Sequence, residues 1–319
     1  MKIALVTGAS SGLGREFVRQ IAEQGKVEEI WAIARRRDRL EALQSISAVP
    51  IRVLALDLTR PGDMEYLRNT LQDELPDIRI LVNAAGMGRM GPTVDIPAKD
   101  NDAMIDLNCR AAVDVTDAAF PYLHPGSQVL EICSTAGFQP IPGLNVYAAT
   151  KACQGMLGEI YAKAYGMDLL CVRAFNHVGP GQAPMFVVSD FCRQTAAIEL
   201  GQQEPVIRIG NLSAKRDFTD VRDVVRAYVL LAEKGIAGRV YNVGSGKAVE
   251  IRGILDLILA QSGAKIQAET DPAKLRPVDV PVVEADIRRL QEDTGWQRQI
   301  PLEQTIRDTL AYWRTELAK

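Results

Sequence analysis

Short apolar runs that alternate with amphipathic stretches, and a glycine-rich turn directly after the first run, predict an α/β fold. Its form is a doubly wound, Rossmann-like parallel sheet with a smaller C-terminal substrate lobe. The runs IALVT, IWAIA, IRVLAL, IRILVN, QVLEICS and DLLCVRAF are nearly all apolar, as strands are when helices cover both faces of a sheet. Composition agrees. The chain has 319 residues, 47% hydrophobic and 24% charged, which suits one large or two ordinary packed domains and excludes disordered, collagen-like and coiled-coil classes. A formal net charge of -3 speaks against a nucleic-acid partner, whose phosphates call for clustered lysine and arginine.

In chain order, IALVT opens the sheet and residues 14–23 read as its first helix. Further helical patterns at 40–44, 63–75, 100–119 and 147–165 each follow a strand-like run. After Phe175 the rhythm loosens into HVGPGQAP, a helix over 188–200, the strand VIRIG, a helix over 220–233 and VYNVGSG. LRPVDVP and helical patterns at 285–294 and 302–317 close the chain. The expected division is a dinucleotide-binding domain over 1–175, with 206–245 partly returning to it, and a substrate lobe over 176–205 and 246–319.

The five cysteines are widely spaced, with no C-x-x-C and only two histidines to join them, so neither a disulfide framework nor a metal site is expected. The apolar start, MKIALVTGAS, is too short to cross a membrane and runs straight into the glycine turn. It reads as a first strand, and a cytoplasmic location with no membrane partner is the expectation.

In TGASSGLG, Gly8, Gly12 and Gly14 let the backbone turn tightly and approach a pyrophosphate, which the N-terminus of the following helix attracts. Ser10, Ser11 and Leu13 belong to the same loop. The second strand should end at the adenosine ribose, where an acidic residue would select NAD. Instead Ala34 leads into Arg35, Arg36 and Arg37, whose guanidinium groups suit the 2′-phosphate of NADP, with NAD the less favoured cofactor. Asp57, beside Leu58 at the end of the third strand, either accepts a bond from adenine or caps the Thr59 turn.

Tyr147 and Lys151, four apart in YAATK, project from one face of a helix. A phenol ordinarily titrates near about 10, and an adjacent ammonium favours the phenolate, which fits such a pair for exchanging a proton with a carbonyl or alcohol. Ser134, ending a strand, can donate to the same oxygen as charge develops.

These residues resemble the short-chain dehydrogenase/reductase superfamily. TGASSGLG, VNAAG at 82–86, Asn108 in DLNCRAA, Ser134 in ICSTAG and YAATK are similar to its classical branch. The resemblance implies Tyr147 as general acid/base, Lys151 holding the nicotinamide ribose and favouring the phenolate, Ser134 polarising the carbonyl, and Asn108 positioning a water and Lys151. It implies that Asn83, Ala84 and Gly86 line the cofactor. From about Gln154 onward, FNHVGPGQ, VIRIGNLSAKRDFTDVRDVVRAY, VYNVGSG and LRPVDVP are similar to the extended, nucleotide-sugar-modifying branch, most closely its reductases of GDP-linked 4-keto-6-deoxy sugars. That resemblance implies Asn176 at the substrate diphosphate, Asn211 and Leu212 at the nucleotide base, Arg216 at a phosphate, and Arg276 with Asp279 at the diphosphate and ribose. The bland alternative for Arg216 is a surface ion pair with Asp220 or Asp223.

The two halves thus resemble different branches, and the chain looks like a hybrid joined near residues 151–154. Ser134 and Tyr147 stand only thirteen positions apart, where the extended branch has a longer insertion. Dehydration is disfavoured, because Ser134 is followed by Thr135 rather than a glutamate. The expected activity is an NADPH-dependent ketoreductase of a nucleotide-diphosphate 4-keto-6-deoxy sugar, best GDP-linked. The alternatives are a reductase of small ketones or alcohols, and a recombined scaffold that binds cofactor with little catalysis. The resemblance also implies a homodimer.

Overall fold

The computed structural model describes residues 1–139, 143–275 and 280–319. Its first part runs β1 (Lys2–Thr7), α1 (Gly12–Gln24), β2 (Glu29–Ala34), α2 (Arg37–Glu41), β3 (Ile51–Ala55), α3 (Pro61–Glu74), β4 (Asp77–Asn83), α4 (Ala98–Ile105) and α5 (Ala111–Ala119). It continues through β5 (Leu123–Ser134), α6 (Asn145–Tyr165) and β6 (Leu169–Ala174). Then come β7 (Asn176–Val178), α7 (Val187–Glu199), β8 (Val206–Ile209), β9 (Lys215–Asp220), α8 (Val221–Lys234) and β10 (Val240–Val243). β11 (Ala248–Glu250), α9 (Ile251–Leu259), β12 (Gln267–Thr270), β13 (Val282–Val283), α10 (Arg288–Thr294) and α11 (Leu302–Leu317) complete it.

Two units divide these elements. Unit 1 comprises Met1–Ala174, Val225–Tyr241 and Arg289–Trp296, and unit 2 comprises Phe175–Val224, Asn242–Arg288 and Gln297–Lys319. The returning segment is narrower than the 206–245 read from sequence, and Arg289–Trp296 joins unit 1 instead of the lobe. Trp296 accounts for the second difference: it is fully buried, and within unit 1 the Arg226 guanidinium lies 5.7 Å from its ring.

The principal sheet has seven strands in the order β10-β6-β5-β4-β1-β2-β3, and its registers from β3 to β6 are all parallel. From β1 the chain winds outward to β2 and β3, then returns to the other side of β1 through β4. The turns leaving β1 and β4 therefore diverge at one edge and open the crevice where such sheets bind ligands. Its core is built from the apolar runs, with Ile3, Leu5, Trp31, Ile33, Leu81 and Leu169 at 1% exposure or less.

In unit 2, β9 pairs antiparallel with β11 and parallel with β7 and β13, while β12 pairs with β8. Phe191, Cys192, Ile254, Ile258, Ile306 and Leu310, from α7, α9 and α11, form its core. Asp217, fully buried on β9, fastens this unit. Its Oδ1 accepts from the Ser245 amide and hydroxyl, each at 2.7 Å, and its Oδ2 from the amides of Gly246 at 2.9 Å and Ala285 at 3.2 Å. Among the described residues, no helix is long and apolar enough to cross a membrane.

Candidate active site

The turn from β1 into α1 is built by its glycines. Gly8 has φ +67°, and a Cβ there would stand 2.8 Å from the Ala84 carbonyl oxygen. A Cβ at Gly14 would stand 2.3 Å from the Gly8 carbonyl, so both positions require glycine for close packing. Gly12, at φ +53°, has open space above it. Ser11 begins α1 in extended conformation and makes no side-chain cap bond, which leaves the first-turn amides to meet an anion. A pyrophosphate fits these groups.

The three arginines after β2 divide their work. Arg36 reaches back over this turn and its Nη2 donates to the hydroxyls of Ser10 and Ser11, both at 3.0 Å. Partial burial and the charges of Arg39 and Arg35 lower its pKa, with Asp38 opposing. Crowded cations of this kind favour a dianion beside them. Arg37 is exposed and lies 3.8 Å from Glu41, one helical turn on, as a solvated face would have it.

Asp57 caps the Thr59 turn. Its Oδ1 accepts from the Thr59 amide at 3.1 Å and hydroxyl at 2.7 Å. Burial opposes its ionisation, but Thr59, Arg35 and Arg60 outweigh it and hold the carboxyl below its ordinary value. Leu58 buries its side chain in the core.

Asn83 is 2% exposed, and its Nδ2 donates to Thr116 Oγ1 at 2.9 Å and to Glu131 Oε1. Ala84 supplies the carbonyl against which Gly8 packs, and a Cβ on Gly86 would lie 3.3 Å from Asn108 Oδ1 and 3.8 Å from Lys151 Nζ.

Beyond this turn, contacts join the elements that carry the four expected catalytic residues. Asn108 lies in a π-helical turn, Asp106–Arg110, between α4 and α5. Its Oδ1 accepts from the Met87 amide at 2.9 Å, and its Nδ2 donates to the Met87 carbonyl at 2.8 Å and Thr150 Oγ1 at 3.0 Å. The amide thus braces the β4 turn against α6. Ser134 ends β5 and its Oγ accepts from the Ala136 amide at 3.2 Å, which leaves its O–H proton to be donated. A Cβ on Gly137 would lie 2.8 Å from the Lys151 carbonyl carbon, so the Ser134 turn sits directly on α6.

The Tyr147 ring packs over Gly88, whose added Cβ would be 3.2 Å from Tyr147 Cδ2, and Lys151 Nζ lies 5.8 Å from the ring centroid. The ammonium donates to the Ile132 carbonyl and to Gln154 Oε1, each at 2.7 Å. Gln154 Nε2 continues to Glu131 Oε2 at 3.5 Å. This buried network went unread in the sequence, although a lone glutamate inside the apolar run VLEICS is its visible signal.

In unit 2, Asn176 is exposed at the start of β7. Asn211 Oδ1 accepts from the Ser213 amide at 3.0 Å and hydroxyl at 2.9 Å. Leu212 buries its side chain in the core of this unit, and its carbonyl accepts from the Arg252 amide. Arg216 Nη1 donates to the carbonyls of Lys215 at 2.8 Å and Val280 at 2.7 Å. Asp220 accepts from Arg222 and Thr305, and Asp223 from the amides of Gln299 and Ile300. Arg276 and Asp279 lie outside the described residues.

A parallel sheet with a glycine turn at its reversal point, and a tyrosine, lysine, serine and asparagine beyond that turn, defines a dinucleotide-dependent oxidoreductase. The chain belongs to the short-chain dehydrogenase family: the family model described as short chain dehydrogenase matches residues 2–181, and that described as GDP-mannose 4,6 dehydratase matches residues 132–309. Each half therefore matches its own branch, and the shared stretch encloses the change expected near 151–154. The GDP-6-deoxy-D-mannose reductase of Pseudomonas aeruginosa is 30% identical over 273 residues, covering 82% of this chain and 86% of that protein. The NADP-dependent 3-hydroxy acid dehydrogenase of Escherichia coli K12 is 35% identical over 153 residues, 47% of this chain and 61% of that protein. The structure of RMD from Pseudomonas aeruginosa, complexed with NADPH, superposes with a TM-score of 0.77 over 99% of both chains at 25% identity. A Thermus thermophilus UDP-glucose 4-epimerase shares the fold, with a TM-score of 0.76 over 98% of this chain and 99% of that one at 20% identity.

Proposed function

We propose that the chain is an NADPH-dependent ketoreductase of a nucleotide-diphosphate 4-keto-6-deoxy sugar, with GDP as the nucleotide. The observation that carries this reading is Tyr147 and Lys151 sharing one turn of α6, with the Gly137 turn that follows Ser134 seated on the Lys151 main chain, and a glycine turn that Arg36 overhangs. The likeness to the Pseudomonas reductase over most of both chains supports the substrate class.

Gly8, Gly12 and Gly14 would cradle the pyrophosphate, Arg36 with Arg35 would meet the 2′-phosphate, and Lys151 would hold the nicotinamide ribose. Bound NADPH supplies the hydride. Tyr147 gives its hydroxyl proton to the carbonyl oxygen while the Ser134 hydroxyl donates to the same atom as negative charge grows there. Asn108 keeps the Met87 turn and α6 in register. Asn176, Arg216, Arg276 and Asp279 would take the diphosphate and ribose, and Asn211 with Leu212 the base.

Oxidation of NADPH in the presence of GDP-4-keto-6-deoxymannose tests this directly. Turnover is expected, and Tyr147→Phe should lower kcat by about 10²- to 10⁴-fold. Failure to oxidise NADPH with that sugar overturns the reading. A second reading, reduction of a small ketone or hydroxy acid, draws on the thirteen-residue spacing from Ser134 to Tyr147 and on the 3-hydroxy acid dehydrogenase relative. Turnover of simple ketones that is indifferent to nucleotide would select it.

A further inference from the structure

Glu131 stands within a parallel strand, 5% exposed, between the buried Leu130 and Ile132. Both of its oxygens face N–H donors: Oε1 accepts from Asn83 and Oε2 from Gln154. Gln154, itself 1% exposed, turns its other amide atom to the Lys151 ammonium. One side chain, Gln154, thus links a buried acid to the lysine beside Tyr147. Glu131 and Gln154 also line, with Thr116, Gly158 and Tyr161, a cavity of about 10 Å³, room for about one water to carry a proton in or out.

We propose that Glu131 and Gln154 are a positioning pair for Lys151, pinning its ammonium against the Ile132 carbonyl when Glu131 is ionised and releasing it toward the cofactor when Glu131 is protonated. The inference rests on the reading of Lys151 as the ribose-holding lysine. Its logic is the polarity of the amide. An ionised Glu131 accepts from both neighbours, so Gln154 must keep Nε2 toward Glu131 and Oε1 toward Lys151, the arrangement observed. A proton enters most readily on Oε2, whose contact of 3.5 Å is the looser one. The new O–H then needs an acceptor, Gln154 turns Oε1 toward it, and Lys151 meets an N–H donor it cannot bond.

The switching range lies near neutrality. Burial raises the Glu131 carboxyl to about 8; Cys133 adds to this, while the Asn83 bond and the Lys151 charge oppose it. The other groups facing it are Cys171, opposite on β6, and Tyr161 of α6, whose hydroxyl donates to Asp117 of α5.

The test uses the full chain, with Glu131→Gln and Gln154→Leu, and two readouts that need no sugar substrate. Infrared spectra of the cofactor-free protein should show a protonated-carboxyl band that vanishes with a midpoint near 8 and is absent from Glu131→Gln. The NADPH Kd should weaken by about tenfold between about pH 7 and about pH 9 in the parent protein, and by less than about twofold in either variant. Absence of the titrating band, or the same pH slope in the parent and both variants, overturns the relay. If Glu131→Gln does not fold, the Kd comparison with Gln154→Leu decides. Inability to reduce the nucleotide sugar would defeat the proposed function and leave both readouts standing.

Discussion

Arg36 shows how much one residue can decide. Its guanidinium is drawn over Ser10 and Ser11 by neutral hydrogen bonds, although Arg35 and Arg39 repel it. A 2′-phosphate there would replace two hydroxyl acceptors with charged oxygens and relieve the crowding. Hydrogen bonds to charged groups are worth about 1.5–3 kcal/mol, so Arg36→Ala should weaken NADPH binding by roughly ten- to a hundredfold and leave NADH nearly unchanged. Fluorescence titration with both cofactors reads this, and equal losses would remove Arg36 from the 2′-phosphate. Three successive arginines were legible in the sequence. Which of them turns to the glycine loop was not, because that depends on where the first turn of α2 points each side chain, and Arg37 is directed to Glu41 instead.

At the scale of elements, strands were easier to read than the joints between helices. A parallel strand covered on both faces announces itself as an apolar run, and each run from IALVT to DLLCVRAF contributes a strand of the sheet. Residues 100–119 carry one helical pattern, yet the structure interrupts them with the π turn at Asp106–Arg110. The cause lies outside the segment: Asn108 bonds both main-chain groups of Met87, a contact that no periodicity within the helix could reveal. The joint between β5 and α6 is similar, since the Ser134 turn is seated by Gly137 against the Lys151 main chain. Gly137→Ala must push that turn away from α6 by several tenths of an ångström. Geometry at this level of fit governs proton transfer, so kcat should fall by about 10²-fold while urea melts shift by only about 1–3 kcal/mol. A loss of stability without loss of kcat would show that Ser134 is placed by something other than this seat.

Asp217 is the corresponding device in unit 2, and KRDFTD does not reveal it, because its partners come from distant stretches of the chain. Asp217→Ala would strip partners from the amides of Ser245, Gly246 and Ala285 at once. Each unpaired buried donor costs about 1–3 kcal/mol, so a loss of at least about 3 kcal/mol in urea denaturation is expected. A change within about 0.5 kcal/mol would mean that the surrounding chain rearranges to satisfy those groups.

For the molecule as a whole, the division of labour between the units has a thermodynamic signature. The cradle for NADPH is made of unit 1 residues, whereas Asn176, Asn211, Leu212 and Arg216, the proposed nucleotide contacts, belong to unit 2. A ligand at about a hundred times its Kd stabilises the folded state by about 2.7 kcal/mol. With an unfolding entropy of about 2.1 cal/mol/K per residue, that raises the melting temperature of a chain this size by roughly 4 °C. NADPH alone should give such a shift, and GDP added to saturating NADPH should give a further one that UDP does not. Hydrogen exchange then assigns each increment. NADPH should protect the amides of the β1–α1 turn, and GDP those around Asn211 to Arg216, because slowed opening follows the unit that gains the ligand. A GDP increment with protection in unit 2 means the C-terminal half carries a formed nucleotide site. A clear NADPH shift with no response to either nucleotide, and no change in unit 2 exchange, would move the function to small ketones handled by unit 1.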